Sequence, residues 1–303
     1  MTGRSYADRC PGVLRPWTAE DGALVRLRLI GGALTSQMLT DLMAISAEWA
    51  DGAVLLTKRA NLQLRGIEHL PSEDGTRCVP LGFVDAVTEA GFLPAPTHEL
   101  IRNIMVSPLS GRVGGRADLF PTARALDEAL CADPLFAGLS ARFLFVLDDG
   151  RGDLVDRKLD LGAMAVDDES VQIRIGSDTW GEVVDLADVP DVLIDLAARF
   201  VRARGDNPDA PWHVDELETP LTELHHARDL RTQVTSLHHP SGEFTQDDGR
   251  TAEVVEVPDG VLTHELATRV LARAGSDLIV TPWRSLVLPD LGEPAGAAGQ
   301  STS

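Results

Sequence analysis

Apolar and polar positions alternate along this chain in two rhythms, and the switches between them mark out the elements. Residues 23–29, Ala23-Leu24-Val25-Arg26-Leu27-Arg28-Leu29, keep the two-residue period of a strand, which puts Arg26 and Arg28 on one face. Gly31-Gly32 makes the turn. Thr35 suits the N-cap of a helix over residues 37–49, where Met38, Leu42, Ile45 and Trp49 recur at helical spacing. After Asp51-Gly52, the apolar run at 53–56 reads as a buried strand and completes a β-α-β unit. Beyond it, Thr57-Lys58-Arg59-Ala60-Asn61-Leu62-Gln63-Leu64-Arg65-Gly66 interleaves basic and apolar side chains. From Arg59 to Arg65 the alternation predicts an extended segment with Ala60, Leu62 and Leu64 on one face. Arg59, Asn61, Gln63 and Arg65 then share the other. A face of two guanidiniums and two amides is costly to bury without a partner. It suits an anionic ligand with many acceptors, held by forked hydrogen bonds, or a half-exposed edge strand with solvated arginines.

The same patterns continue downstream. Residues 81–90 read as a short helix stopped by Gly91, and Pro94-Ala95-Pro96 as a linker. A strand at 101–106 feeds Ser107-Pro108-Leu109-Ser110-Gly111, a loop type in which backbone can approach an anion closely. Next come a helix over 118–130 with Pro121 in its first turn, and a buried strand at 141–147 closed by Asp148-Asp149-Gly150. Residues 160–166 and 171–175 read as strands of an antiparallel layer, and 189–204 as an amphipathic helix. Residues 205–250 are polar and loop-rich, and their His pairs (225–226 and 238–239) lack a third ligand at metal-binding spacing. The last block repeats the first. A strand at 252–257, the turn Pro258-Asp259-Gly260, Leu262-Thr263, a helix over 264–274 and a strand at 277–280 lead into Thr281-Pro282-Trp283-Arg284. Leu34-Thr35 and Thr57-Lys58-Arg59 occupy the matching places in the first copy, so the chain carries two β-α-β half-domains expected to pack about a pseudo-two-fold axis. The tail, 292–303, is rich in Gly, Ala and Ser and is expected to be disordered.

Charge sharpens this picture. The 303 residues carry a net charge of −20, which argues against a nucleic-acid or anionic membrane partner. Residues 1–120 hold 12 basic and 13 acidic side chains and residues 121–303 hold 15 and 34, so the first part is almost neutral. Arginine available for an anion is thus concentrated around the first β-α-β unit. Cys10, Cys78 and Cys131 are three widely spaced cysteines, which suits a reducing compartment better than a disulfide framework. No signal peptide or membrane-spanning run is evident, and a cytoplasmic protein is expected.

Several segments together resemble the siroheme-type nitrite and sulfite reductases, a family that includes the precorrin-3B synthases of cobalamin biosynthesis. They are Arg9-Cys10-Pro11-Gly12, Arg26-Leu27-Arg28-Leu29 with Gly31-Gly32, and residues 57–66. Arg102-Asn103-Ile104 with Ser107-Pro108-Leu109-Ser110-Gly111, Arg142-Phe143 and Thr281-Pro282-Trp283-Arg284 complete the set. The resemblance implies an α+β fold: two ferredoxin-like β-α-β half-domains flanking an α/β tetrapyrrole-binding domain. The expected boundaries are 9–70 and 251–291 for the half-domains, 95–205 for the tetrapyrrole-binding domain, and 206–250 for a linker. It also implies that Arg28, Arg59, Arg102 and Arg142 meet the acidic side chains of a tetrapyrrole, with Asn61, Arg65 and Asn103 as further cofactor-binding candidates. Position 144, often basic in the reductases, is Leu here.

The family holds a [4Fe–4S] cluster through paired cysteines after the second half-domain, and the cysteines of this chain lack that spacing. The expected activity is therefore that of a precorrin-3B synthase-like oxidoreductase that needs an iron-sulfur segment from elsewhere. Siroheme or a related tetrapyrrole is the implied cofactor, and a separate iron-sulfur polypeptide or electron donor the implied partner. A non-catalytic tetrapyrrole-binding module is the alternative, and a scaffold that has lost its ligand is a third reading.

Overall fold

A computed structural model of the chain describes residues 10–71, 77–205, 207, 209–222, 226–235 and 241–292. The tail expected to be disordered lies, from 293 onward, outside the described residues, as do position 225 of the first His pair and the whole of the second, 238–239. The chain divides into two compact units. One comprises Gly12–Pro94, Arg112–Gly114 and His239–Ser303, and the other Met1–Pro11, Ala95–Gly111 and Gly115–His238. Both halves of the internal repeat belong to the first unit.

In the first half, β1 (Trp17–Ala19), β2 (Gly22–Leu27), β4 (Val54–Leu56) and β5 (Leu62–Ile67) pair antiparallel in the order β1-β2-β5-β4. Between β2 and β4 lie the three-residue β3 (Ala33–Thr35) and α1 (Ser36–Trp49). Thr35 caps α1 as its composition predicts, the Oγ1 accepting from the Met38 amide at 3.1 Å. Leu39 and Leu42 of α1 pack with Val25, Leu27, Leu62 and Leu64 in one buried core. A two-stranded ribbon, β6 (Leu70–Pro71) and β7 (Arg77–Cys78), and the helix α2 (Leu81–Glu89) follow.

The second unit is built on a mixed sheet. Its strands are β8 (Ile104–Val106), β9 (Phe145–Asp148), β10 (Leu161–Ala165), β11 (Ser170–Ile175) and β12 (Thr179–Asp185), in the order β12-β11-β10-β9-β8. The layer expected to be antiparallel is so from β10 to β12, whereas β8-β9-β10 run parallel. Two helices, α3 (Phe120–Ala132) and α4 (Val189–Arg204), belong to this unit, the second with the limits its periodicity predicts. Phe143 lies 5.1 Å from the Phe145 ring and 5.0 Å from that of Phe200, joining sheet to α4 through aromatic packing. Among the described residues no helix is long and apolar enough to cross a membrane.

The second half of the repeat takes in β13 (Gly242–Thr245), β14 (Thr251–Glu256), β15 (Val261–Leu262), α5 (His264–Leu271), β16 (Asp277–Val280) and β17 (Ser285–Leu291). Thr263 caps α5 as Thr35 caps α1. The two sheets are built alike, with β13-β14-β17-β16 matching β1-β2-β5-β4. Each is completed by a strand from the other half: β3 pairs with β16, and β15 pairs with β4. Each half thus fills the open edge of the other, and the Leu-Thr steps noticed in the sequence are where the exchange takes place.

Candidate functional site

Thr57 to Asn61 form a tight turn between β4 and β5, not the start of an extended segment. The Thr57 amide donates to the Asn61 carbonyl at 2.9 Å and the Ala60 amide to the Thr57 carbonyl at 3.1 Å. Thr57 Oγ1 accepts from the amides of Arg59 and Asn61. Ala60 sits in the left-handed region at φ 55°. The expected common face of Arg59, Asn61, Gln63 and Arg65 is therefore broken: Arg59 and Asn61 belong to the turn, Gln63 and Arg65 to β5. Alternation along a sequence cannot register a single left-handed residue. Leu62 and Leu64 are buried as expected, with Gln63 and Arg65 partly exposed.

This turn carries a buried polar set. Asn61 is 1% exposed, and its Oδ1 accepts from the Leu29 amide at 2.9 Å. That bond ties the turn to the chain leaving β2, where Arg28 is buried just beyond the strand's end rather than on it. The Nδ2 of Asn61 is buried with no hydrogen-bond partner among the described residues, and so is the Nε of Arg26. Arg59 is half-buried beside them. Arg65 points its Nη2 at Asp21 Oδ2, 3.1 Å away, in a largely exposed ion pair that contributes little to stability.

Arg102, Asn103 and Arg142 fall in the other unit, each with local partners. Arg102 forms a bidentate pair with Asp127 of α3, at 2.7 Å from Nε and 2.6 Å from Nη2. Burial works against its charge, but Asp127 raises its pKa above the ordinary arginine value. Asn103 is buried and its Nδ2 donates to the carbonyls of Leu100 and Ala141, both at 3.0 Å, bracing the entry to β9. Arg142 is exposed and stacks on Trp212 at 5.0 Å.

The sequence marked Asp148-Asp149-Gly150 only as a turn. The structure builds on it a buried carboxylate cluster with Asp153. Asp148 accepts from the amides of Gly150, Gly152 and Leu154. Asp149 is paired with Arg151, and Asp153 Oδ1 accepts from Ser107 Oγ at 2.6 Å. Burial, then the neighbouring Asp148, pushes the Asp153 pKa up to about 7. Burial likewise raises that of Asp148, helped by Asp149 and opposed by its three amides. These carboxylates are the only Asp, Glu, His or Cys side chains among the described residues that converge closely enough to share a cation. Arg151 already occupies one side of the group. Signals for the cluster were present in the sequence as a D-D-G-R-G-D run, but adjacent acids are far more often solvated.

Residues 18–70 match the nitrite/sulfite reductase ferredoxin-like half domain, a stretch that holds β2, α1, β4, the turn and β5. Over this stretch the chain is similar to the nitrite and sulfite reductases. A precorrin-3B synthase from Sinorhizobium sp is 30% identical over 159 residues, which cover 52% of this chain and 31% of that protein. The Mycobacterium tuberculosis NirA protein shares the fold, with a TM-score of 0.67 at 19% identity over 96% of this chain and 58% of NirA. This chain thus spans about a third of the length of the synthase and under two thirds of NirA. The matched half domain coincides with the half of the repeat that carries Arg28, Arg59 and Asn61.

Proposed function

We propose that this chain binds an anionic tetrapyrrole of the siroheme or precorrin type, through the basic turn of its first half domain, and serves a precorrin-3B synthase-like oxidoreductase. The observation that carries this reading is the buried Nδ2 of Asn61, which has no partner among the described residues and lies in a turn two residues from Arg59. A ring edged with carboxylates supplies acceptors for a donor of this kind, and an arginine fork can hold the same group from the side. Arg28 is buried and directly precedes Leu29, whose amide bonds Asn61 Oδ1, and would add a second guanidinium to the site. The residues therefore fit a ring carboxylate.

When bound, siroheme would supply a redox-active iron, whereas a precorrin would be the molecule acted on. The chain's own part is to bind and orient the ring. Asn61 and Arg59 would fix one carboxylate edge. Thr57 keeps the turn in shape by accepting from both of their amides. Arg102 and Asn103 brace their own unit, and for them the supported role is positioning.

The residues do not fit an iron-sulfur cluster. Among the described residues no cysteine joins a convergent set of possible metal ligands. On this observation a non-catalytic tetrapyrrole-binding module is the second reading. An absorption titration with siroheme tests the binding claim. Saturable binding is expected, with Arg59→Ala weakening it by about 1.5–3 kcal/mol, the range for a hydrogen bond to a charged group. Wild-type binding that Arg59→Ala leaves intact would remove Arg59 from the site.

A further inference from the structure

The sheet of the second unit holds another basic centre, made of none of the residues discussed above as ring ligands. Arg174 of β11 is 6% exposed, and its Nη1 is buried without a hydrogen-bond partner among the described residues. Its cross-strand neighbours are Gly162 on β10, which presents no side chain, and Trp180 on β12. The guanidinium lies 5.2 Å from the centre of the Trp180 ring. A second guanidinium, that of Arg228, lies 4.7 Å from the same ring.

Arg228 is held there by design of the chain around it. Gln172, two residues from Arg174 on β11, donates to the Ala227 carbonyl at 2.9 Å and accepts from the Asp229 amide at 2.8 Å. The His226 amide donates to the Trp180 carbonyl at 3.1 Å. Three bonds thus pin residues 226–229 across the sheet and bring two like charges to one indole. Thr232 takes the Nε and Nη2 of Arg228, and its Nη1 has no partner among the described residues. No carboxylate among the described residues forms an ion pair with Arg174 or Arg228. Burial lowers the Arg174 pKa, more than the favourable fields of Asp148 and Asp156 offset, and Arg228 lowers it further. Arg228 also lines an open cleft of about 530 Å³ together with His226, Arg231, Gly181 and Val183.

Two guanidiniums are brought to one indole in a chain of net charge −20, and neither forms an ion pair with an acid among the described residues. We infer that Arg174, Trp180 and Arg228 form an anion subsite that takes a small oxyanion, carboxylate or phosphate, entering from the cleft past Arg228. The oxyanion accepts from Nη1 of both arginines and lies against the edge of the indole, where ring hydrogens carry partial positive charge. This subsite uses none of Arg28, Arg59 and Asn61, so it stands or falls independently of the tetrapyrrole reading.

The test is a thermal-shift and tryptophan-fluorescence titration of the full chain with inorganic phosphate, with chloride at matched ionic strength as reference. Acetate and citrate in parallel arms separate the phosphate from the carboxylate class. The expected result is a saturable rise in Tm for at least one oxyanion beyond the chloride reference. Arg228→Gln and Arg174→Gln should each raise the half-saturating concentration at least tenfold. No oxyanion effect in the wild type would overturn the proposal, as would an unchanged response in both variants. Should Arg174→Gln fail to fold, Arg228→Gln decides alone, since Arg228 is only half-buried. The siroheme titration should be unaffected by Arg228→Gln.

Discussion

The turns that close the second β-α-β strand of each half have the same backbone and different side chains. In the second half, the Thr281 amide donates to the Ser285 carbonyl and the Arg284 amide to the Thr281 carbonyl, at 2.9 and 3.1 Å. Thr281 Oγ1 accepts from the amides of Trp283 and Ser285, as Thr57 Oγ1 does from those of Arg59 and Asn61. The fourth residue is left-handed in both, at φ 55° for Ala60 and 64° for Arg284. The side chains these shared positions display differ. Where the first turn has Arg59, Ala60 and Asn61, the second has Trp283, Arg284 and Ser285. Geometry belongs to the repeat and chemistry to each copy. The first copy presents a guanidinium beside an unpartnered buried amide, whereas the second satisfies its last hydroxyl internally through Thr281 at 2.7 Å.

The comparison can be broken most severely at the glycines where the halves interlock. A Cβ on Gly32 would lie 2.1 Å from the Val280 carbonyl oxygen, at a φ of +80°. Its counterpart Gly260 faces the Leu56 oxygen at 3.0 Å and the flexible Arg284 side chain at 2.7 Å. Gly32→Ala should therefore cost about 3–5 kcal/mol and Gly260→Ala about 2 kcal/mol in chemical denaturation. Equal losses would show that the two interlocks are not shaped as described.

The threonines come next. Thr281 is fully buried with three partners for its hydroxyl, and Thr57 is partly exposed with two. Thr281→Ala should cost about 2–3 kcal/mol and Thr57→Ala about 1 kcal/mol, read from the same unfolding curves. A reversed order would place the more demanding turn in the first half. Smallest of all is the left-handed residue. Ala60→Gly should gain about 0.5 kcal/mol, the relief of a left-handed Cβ less the entropy of a more flexible unfolded chain. A loss instead would mean that the Ala60 methyl packing against Gly32 outweighs the strain.

Much of this was legible in the sequence. Leu34-Thr35 and Leu262-Thr263 gave away the repeat because a capping threonine must sit at a fixed distance from the apolar stripe it introduces. The helix Val189–Arg204 followed from its periodicity alone. The exchange of β3 and β15 did not, because strands of three and two residues have too little pattern to be seen and their partners are more than two hundred residues away. The turn at 57–61 was hidden by Ala60, a residue with no outward sign of a left-handed conformation. The candidate arginines were found by type, but only the structure separates Arg102, committed to Asp127, from Arg59 in its turn. Arg174 carries no motif, and its burial without an ion-pair partner among the described residues is a property of the fold.

The central claim is that the first turn, and not its twin, holds the ring. The most direct measurement is a siroheme absorption titration of the wild type, Arg59→Ala and Trp283→Ala side by side. The account predicts a saturable spectral shift in the wild type, an affinity lower by about 1.5–3 kcal/mol in Arg59→Ala, and wild-type affinity in Trp283→Ala. Equal weakening in the two variants, or no shift with the wild type, would contradict it.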